Sequence, residues 1–75
     1  MPLRLNAEKV RCVLLADGWH EVAFVDGKST FGVDSYEFIE GAPAAGVSWK
    51  ERKGNSEHRI MCPLTSVLAI QERLE

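Results

Sequence analysis

The sequence is poor in cysteine, proline and net charge, and it has no long apolar run. Its 75 residues include two cysteines, three prolines and six glycines, and nine Lys and Arg nearly balance eleven Asp and Glu. The longest apolar run, residues 13–16, is far shorter than the roughly 20 residues of a membrane-spanning helix. With 45% hydrophobic residues, the composition excludes collagen-like and strongly disordered chains. We therefore expect one small folded domain over residues 1–75 and no membrane partner.

The two cysteines, Cys12 and Cys62, allow at most one internal disulfide. Residues 1–6 contain no apolar run of the length found in a secretory signal. We therefore expect a cytoplasmic protein with reduced thiols. A chain this short builds a small core, so a homo-oligomer or a protein partner is the expected supplement. The net charge of −2 argues against nucleic-acid binding through bulk charge.

Turn signals occur at short intervals between segments rich in β-branched and aromatic residues. This spacing is typical of an all-β meander, and no segment before Pro63 keeps the apolar period of a helix. The turn signals are Asp17-Gly18, Asp26-Gly27, Gly41-Ala42-Pro43 and Gly54-Asn55. They predict five strands at about residues 9–16, 19–25, 31–40, 47–52 and 56–62, with residues 41–46 as a connector.

The two clearest turns predict the register of two hairpins. A turn at Asp17-Gly18 pairs Ala16 with Trp19 and Leu14 with Glu21. A turn at Gly54-Asn55 pairs Lys50 with Arg59 and Glu51 with His58, and we expect the Glu51–His58 pair to be solvated. The second hairpin then has a core face (Val47, Trp49, Ile60 and Cys62) and an opposite face (Ser48, Lys50, Arg59 and Met61).

The last segment allows two structures. Residues 63–66 can form a short 3₁₀ turn before a closing strand at residues 67–70, or Thr65 can cap a helix through Leu74. The run of apolar and β-branched residues after Pro63 favours the turn and the strand.

This order of elements resembles the small barrels of the SH3-like and Sm-like folds. Residues 59–70 (Arg-Ile-Met-Cys-Pro-Leu-Thr-Ser-Val-Leu-Ala-Ile) are similar to the second conserved segment of Sm-like proteins, where a strand turns sharply into the closing strand. The resemblance implies a five-stranded barrel with a short 3₁₀ turn or short helix near the C-terminus. It also implies nucleic-acid binding as one function, although the Asp and Asn/Gly signatures of the Sm-like nucleotide pocket are missing. The chain also resembles small orphan proteins of bacterial mobile elements.

Residue types that bind zinc or act as nucleophiles are present without the required spacing. There is no C-x₂₋₄-C pair, and the predicted register places Cys12 and His20 on opposite faces of one hairpin. His58 and Cys62 share a face but are four residues apart along a strand. We therefore expect no metal, no cofactor and no catalytic residue.

The most informative pair is Lys50 opposite Arg59, because like charges across two strands destabilise a sheet. With Ser48 and Arg52 they form a candidate anion-binding or partner-binding surface. The alternative is a solvated face whose charge is offset by Glu51, by Glu57 or by a carboxylate on another strand. Trp19 follows a tight turn, and it lies either at the core edge or in an interface.

These observations predict a non-enzymatic interaction module that binds a protein partner or itself. One alternative is a nucleic-acid-binding protein of the Sm-like kind that uses Ser48, Lys50, Arg52 and Arg59. Another is a small oligomeric enzyme whose site forms at a subunit junction.

Overall fold

The computed structural model describes residues 4–74, which form three small antiparallel sheets and two short 3₁₀ turns. The strand order is β2-β1-β8 in the first sheet, β3-β4 in the second and β5-β6-β7 in the third. The 3₁₀ turns are Ala7–Lys9 and Leu64–Ser66. The strands are β1 (Val10–Leu15), β2 (Gly18–Glu21), β3 (Phe24–Val25), β4 (Lys28–Ser29), β5 (Gly32–Ile39), β6 (Ala42–Lys53), β7 (Ser56–Pro63) and β8 (Ala69–Glu72).

The chain is all-β, but the prediction of a five-stranded SH3-like or Sm-like barrel is wrong. The predicted second strand is two strands, because the chain changes neighbours between Val22 and Ala23. The amide of Val22 still donates to Arg11 O of β1 (2.8 Å), whereas the amide of Ala23 donates to Lys50 O of β6 (2.8 Å). The ladder is interrupted at this crossing, so residues 4–74 form separate sheets and no closed barrel.

The first hairpin has a register two residues away from the predicted one. Leu15 pairs with Gly18 and Leu14 with Trp19, so the loop is Ala16-Asp17. Gly18 has a φ of +124°, a conformation that favours glycine, and it begins β2 after the loop. A shift of two residues keeps each side chain on its predicted face, because side chains alternate with period two.

The second hairpin has the predicted register, including Lys50 opposite Arg59 and Glu51 opposite His58. Its first strand, β6, is longer than predicted. Residues 42–46, expected as a connector, pair with β5 as the first part of that strand, so the connector prediction is wrong.

The chain ends as a turn followed by a strand, as predicted, and not as a helix. After Leu64–Ser66, β8 pairs with β1, with Val13 opposite Ile70 and Leu14 opposite Ala69. The strand begins two residues later than expected. Within residues 4–74 no helix is long and apolar enough to cross a membrane.

The core lies between the first and third sheets. Trp49, fully buried, stacks on Phe31 with ring centroids 6.3 Å apart. The predicted core face of the second hairpin is correct, although Ile60 and Cys62 are only half-buried. The buried apolar residues are Val10, Val13, Val22, Phe31, Val47 and Trp49.

Candidate functional site

The candidate site is the side of the third sheet that faces away from the core. Because Val47 and Trp49 pack inward, the residues that alternate with them on β6 point outward. We call this surface the outer face. It consists of Gly32, Asp34, Tyr36 and Phe38 of β5, Ala44, Gly46, Ser48, Lys50 and Arg52 of β6, and Glu57, Arg59 and Met61 of β7.

Ser48 is buried at the centre of the outer face, with 5% of its surface exposed. Its hydroxyl lies 3.0 Å from the Tyr36 hydroxyl and accepts a 3.5 Å hydrogen bond from Arg59 Nη2. Ser48 is therefore too enclosed to be a main ligand-binding group. Its role is to hold Tyr36 and Arg59 in place.

Tyr36 and Phe38 lie next to these groups, and the sequence did not identify them as site residues. Their rings make a T-shaped contact with centroids 5.8 Å apart. A Cβ at Gly46 would lie 2.9 Å from both rings, so the absence of a side chain there makes room for them. Alternation placed both rings on one side of β5, but only the structure shows that this side faces outward.

Two cations of the outer face, Lys50 and Arg52, share the carboxylate of Glu57. Glu57 lies 3.8 Å from Lys50 Nζ and 3.4 Å from Arg52 Nε, and it is Glu57 and not Glu51 that offsets their charge. Lys50 and Arg59 are directly opposite each other across the two strands. Among residues 4–74 the guanidinium of Arg59 forms no ion pair. With three cations against Asp34 and Glu57, the outer face carries an excess of one positive charge on a protein whose net charge is −2.

Trp19 does not belong to this surface. It lies on the first sheet opposite Leu14, and 57% of its surface is exposed. The structure therefore places it at an exposed position and not at the core edge. Ser48, Lys50, Arg52 and Arg59 do come together, as the sequence predicted.

A second group of polar residues was missed by sequence reasoning. The side chain of Glu51 was expected to be solvated near His58, but it is buried and turned towards the first hairpin. Its Oε2 lies 2.8 Å from His20 Nδ1 and accepts a 2.8 Å bond from Trp49 Nε1. Asp17 binds the other nitrogen of His20 at 2.8 Å. The hydrogen bonds that His20 donates, first to Asp17 and then to Glu51, raise the pKa of His20, and the bond with His20 lowers the pKa of Asp17.

The cysteines and histidines do not converge. Both thiols are free and half-buried, and burial raises the pKa of Cys62. Among residues 4–74 no three His, Cys, Asp or Glu side chains form a group that could hold a metal ion. A cleft of about 830 Å³ is open to solvent and lies elsewhere, between Arg11, Phe24 and the end of β8.

Comparisons with protein-family models, curated proteins and solved structures found no match. The outer face is consequently the feature from which a function has to be inferred.

Proposed function

We propose that the protein is a non-enzymatic interaction module that binds an acidic segment of a protein partner on its outer face. The observation that carries the proposal is that Lys50, Arg52 and Arg59 lie together on this face, while Glu57 pairs with only the first two. Like charges on adjacent strands destabilise a sheet, and an acidic ligand would remove that repulsion when it binds.

Arg59 is suited to bind a carboxylate. Its guanidinium has five N–H donors in a planar fork that matches the two oxygens of a carboxylate. The bond to buried Ser48 restrains this side chain before any ligand arrives, which lowers the entropy cost of binding. Lys50, with its flexible stem, supplies a second charge on the neighbouring strand.

Apolar groups border the charged ones. Met61 is 43% exposed and Phe38 is 38% exposed. Both lie on the outer face, Phe38 on β5 and Met61 on β7, and these two strands flank β6, which contains Ser48. A segment with acidic side chains next to apolar ones would fit this surface better than one with acidic side chains alone.

Single-stranded nucleic acid is the second candidate ligand, and the aromatic pair is the observation that favours it. Exposed rings beside Arg and Lys allow bases to stack while the cations bind phosphates. Tyr36 is half-buried, so Phe38 is the main ring available for stacking. Nucleic acid is the weaker candidate, because only one such ring is available and the protein as a whole is acidic.

The test compares two labelled probes by fluorescence anisotropy: an oligo-glutamate peptide and an oligothymidylate that carries the same number of charges. We expect the peptide to bind, with affinity that falls as salt is added. Arg59→Gln and Lys50→Gln should each weaken binding about tenfold, equivalent to about 1.4 kcal/mol. Glu57→Gln should strengthen binding, because it removes the competing carboxylate.

Lys28→Gln is the matched control. It also removes one positive charge, but Lys28 lies on β4 and pairs with Glu8. An equal loss in this variant would mean that bulk charge controls binding. Tighter binding of oligothymidylate, lost in Phe38→Ala, would assign the outer face to nucleic acid. Binding of neither probe would overturn the proposal.

A further inference from the structure

The strand β7 forms a long, regular edge of the third sheet. It pairs with β6 on one side over eight residue pairs without a register shift, and the strand order leaves its other side open among residues 4–74. The other edge strands of the two three-stranded sheets are short or irregular, which makes them poorer partners for another strand. The edge strands β2 and β8 have four residues each, and β5 has a register shift between Glu37 and Ile39. A long, regular edge is a template for another strand.

The turn of the hairpin determines which backbone groups face this open edge. A two-residue loop at Gly54-Asn55 is closed by the pair Lys53 and Ser56. Such a closing pair is hydrogen-bonded, and hydrogen-bonded pairs alternate with non-bonded ones along an antiparallel ladder. The N–H and C=O groups of Glu57, Arg59 and Met61 consequently point away from β6.

We propose that a second copy of this chain pairs its β7 with this edge, antiparallel and about a two-fold axis at His58. In this register Glu57 lies opposite Arg59 of the second copy, and the reverse pair forms on the other side of the axis. These two pairs give about four interchain backbone hydrogen bonds. The proposal rests on the strand edge and goes beyond the function proposed above.

The charges on β7 favour this register over the neighbouring registers. A slip of two residues in one direction puts Arg59 opposite itself, and a slip in the other direction puts Glu57 opposite itself. A further slip puts Pro63, which has no N–H, in a hydrogen-bonding position opposite Glu57. Only the proposed register places opposite charges against each other and leaves every outward N–H usable.

The pairing also gives Arg59 a carboxylate partner that it lacks within residues 4–74 of its own chain. Glu57 would lie between Arg52 of its own chain and Arg59 of the second copy. The two third sheets would then form one continuous sheet with both outer faces on the same side. Because a guanidinium has five donors, Arg59 keeps donors for an acidic ligand while it pairs with Glu57.

The test is the oligomeric state of the whole chain by sedimentation equilibrium. We expect a concentration-dependent dimer. Glu57→Arg and Arg59→Glu should each weaken it at least tenfold, because each variant places like charges across the interface. An equimolar mixture of the two variants should form a heterodimer, since both of its cross-pairs are again of opposite sign. Circular dichroism confirms that each variant is folded.

A control mixture uses charge changes away from the edge, Lys28→Glu with Glu40→Arg, and it should dimerise like the wild type. A wild-type chain that stays monomeric at high concentration would overturn the proposal. So would a dimer that tolerates both edge variants but is lost in Trp19→Ser, because that result would locate the interface on the first sheet. Failure of the acidic probe to bind leaves these sedimentation results unchanged, so the two proposals fail separately.

Discussion

The imidazole of His20 lies 2.8 Å from the buried carboxylate of Glu51 and joins the first hairpin to β6. Its other nitrogen lies 2.8 Å from Asp17. Only the imidazolium can donate a proton to both carboxylates at once. The Glu51 oxygen also accepts a bond from Trp49, so this group connects the hairpin to the core.

The His20 contacts predict how stability depends on pH. The pKa of His20 is raised above its ordinary value of 6.5, so its contribution is complete below that pH and is lost as pH rises through the folded-state pKa. The pKa of Asp17 is lowered from 3.8, so its contribution is lost as pH falls below that value. Thermal unfolding should therefore give the highest Tm between these limits. His20→Gln should reduce the fall in Tm as pH rises on the alkaline side, whereas His58→Gln should leave that fall unchanged.

Glu51→Gln should destabilise the protein by about 1–3 kcal/mol, because the half-buried imidazolium of His20 loses its charged partner. Glu57→Gln removes a carboxylate from exposed ion pairs and should change stability by less than about 1 kcal/mol. Urea unfolding of the two variants measures the difference. Equal midpoints would contradict the role assigned to Glu51.

Gly46→Ala should destabilise the protein by about 1–3 kcal/mol, because the new Cβ would lie 2.9 Å from the rings of Tyr36 and Phe38. Gly32→Ala on β5 is the control, since a Cβ there meets nothing within 4 Å. Adding Phe38→Ala to Gly46→Ala should recover part of the loss. Denaturant unfolding of all three variants gives the comparison, and a neutral Gly46→Ala would show that the rings are not packed as described.

Lys50→Glu should separate folding from binding. The new carboxylate would face Arg59 across the strands but approach Glu57, so stability should change by less than about 0.5 kcal/mol. Binding of the oligo-glutamate probe should be lost. If the variant kept wild-type affinity, the outer face would be a solvated surface that binds no ligand.

The sequence predicted those features that depend on neighbouring residues. Alternation and the Gly54-Asn55 turn were enough for the register that puts Lys50 opposite Arg59. The first hairpin was two residues off, because Gly18 uses its unusual φ to begin a strand and not to form the loop. The separation into three sheets was not predictable in this way, because it depends on the distant bond between Ala23 and Lys50.

The same distinction between neighbouring and distant residues applies to the candidate site. Periodicity predicted that Ser48, Lys50 and Arg59 share a face, but it could not give Glu51 a partner 31 residues away. Tyr36 was missed for a different reason. Apolar side chains lie on both sides of β5, so the pattern alone did not show which side packs on the core.

The most direct test of the central claim is a titration of the ¹⁵N-labelled protein with the oligo-glutamate peptide, followed by amide chemical shifts. We predict saturable shifts concentrated on the outer face, at Tyr36, Ser48, Lys50 and Arg59, and their loss in Arg59→Gln. Absence of saturable shifts, or shifts concentrated around Trp19 on the first sheet, would contradict the central claim.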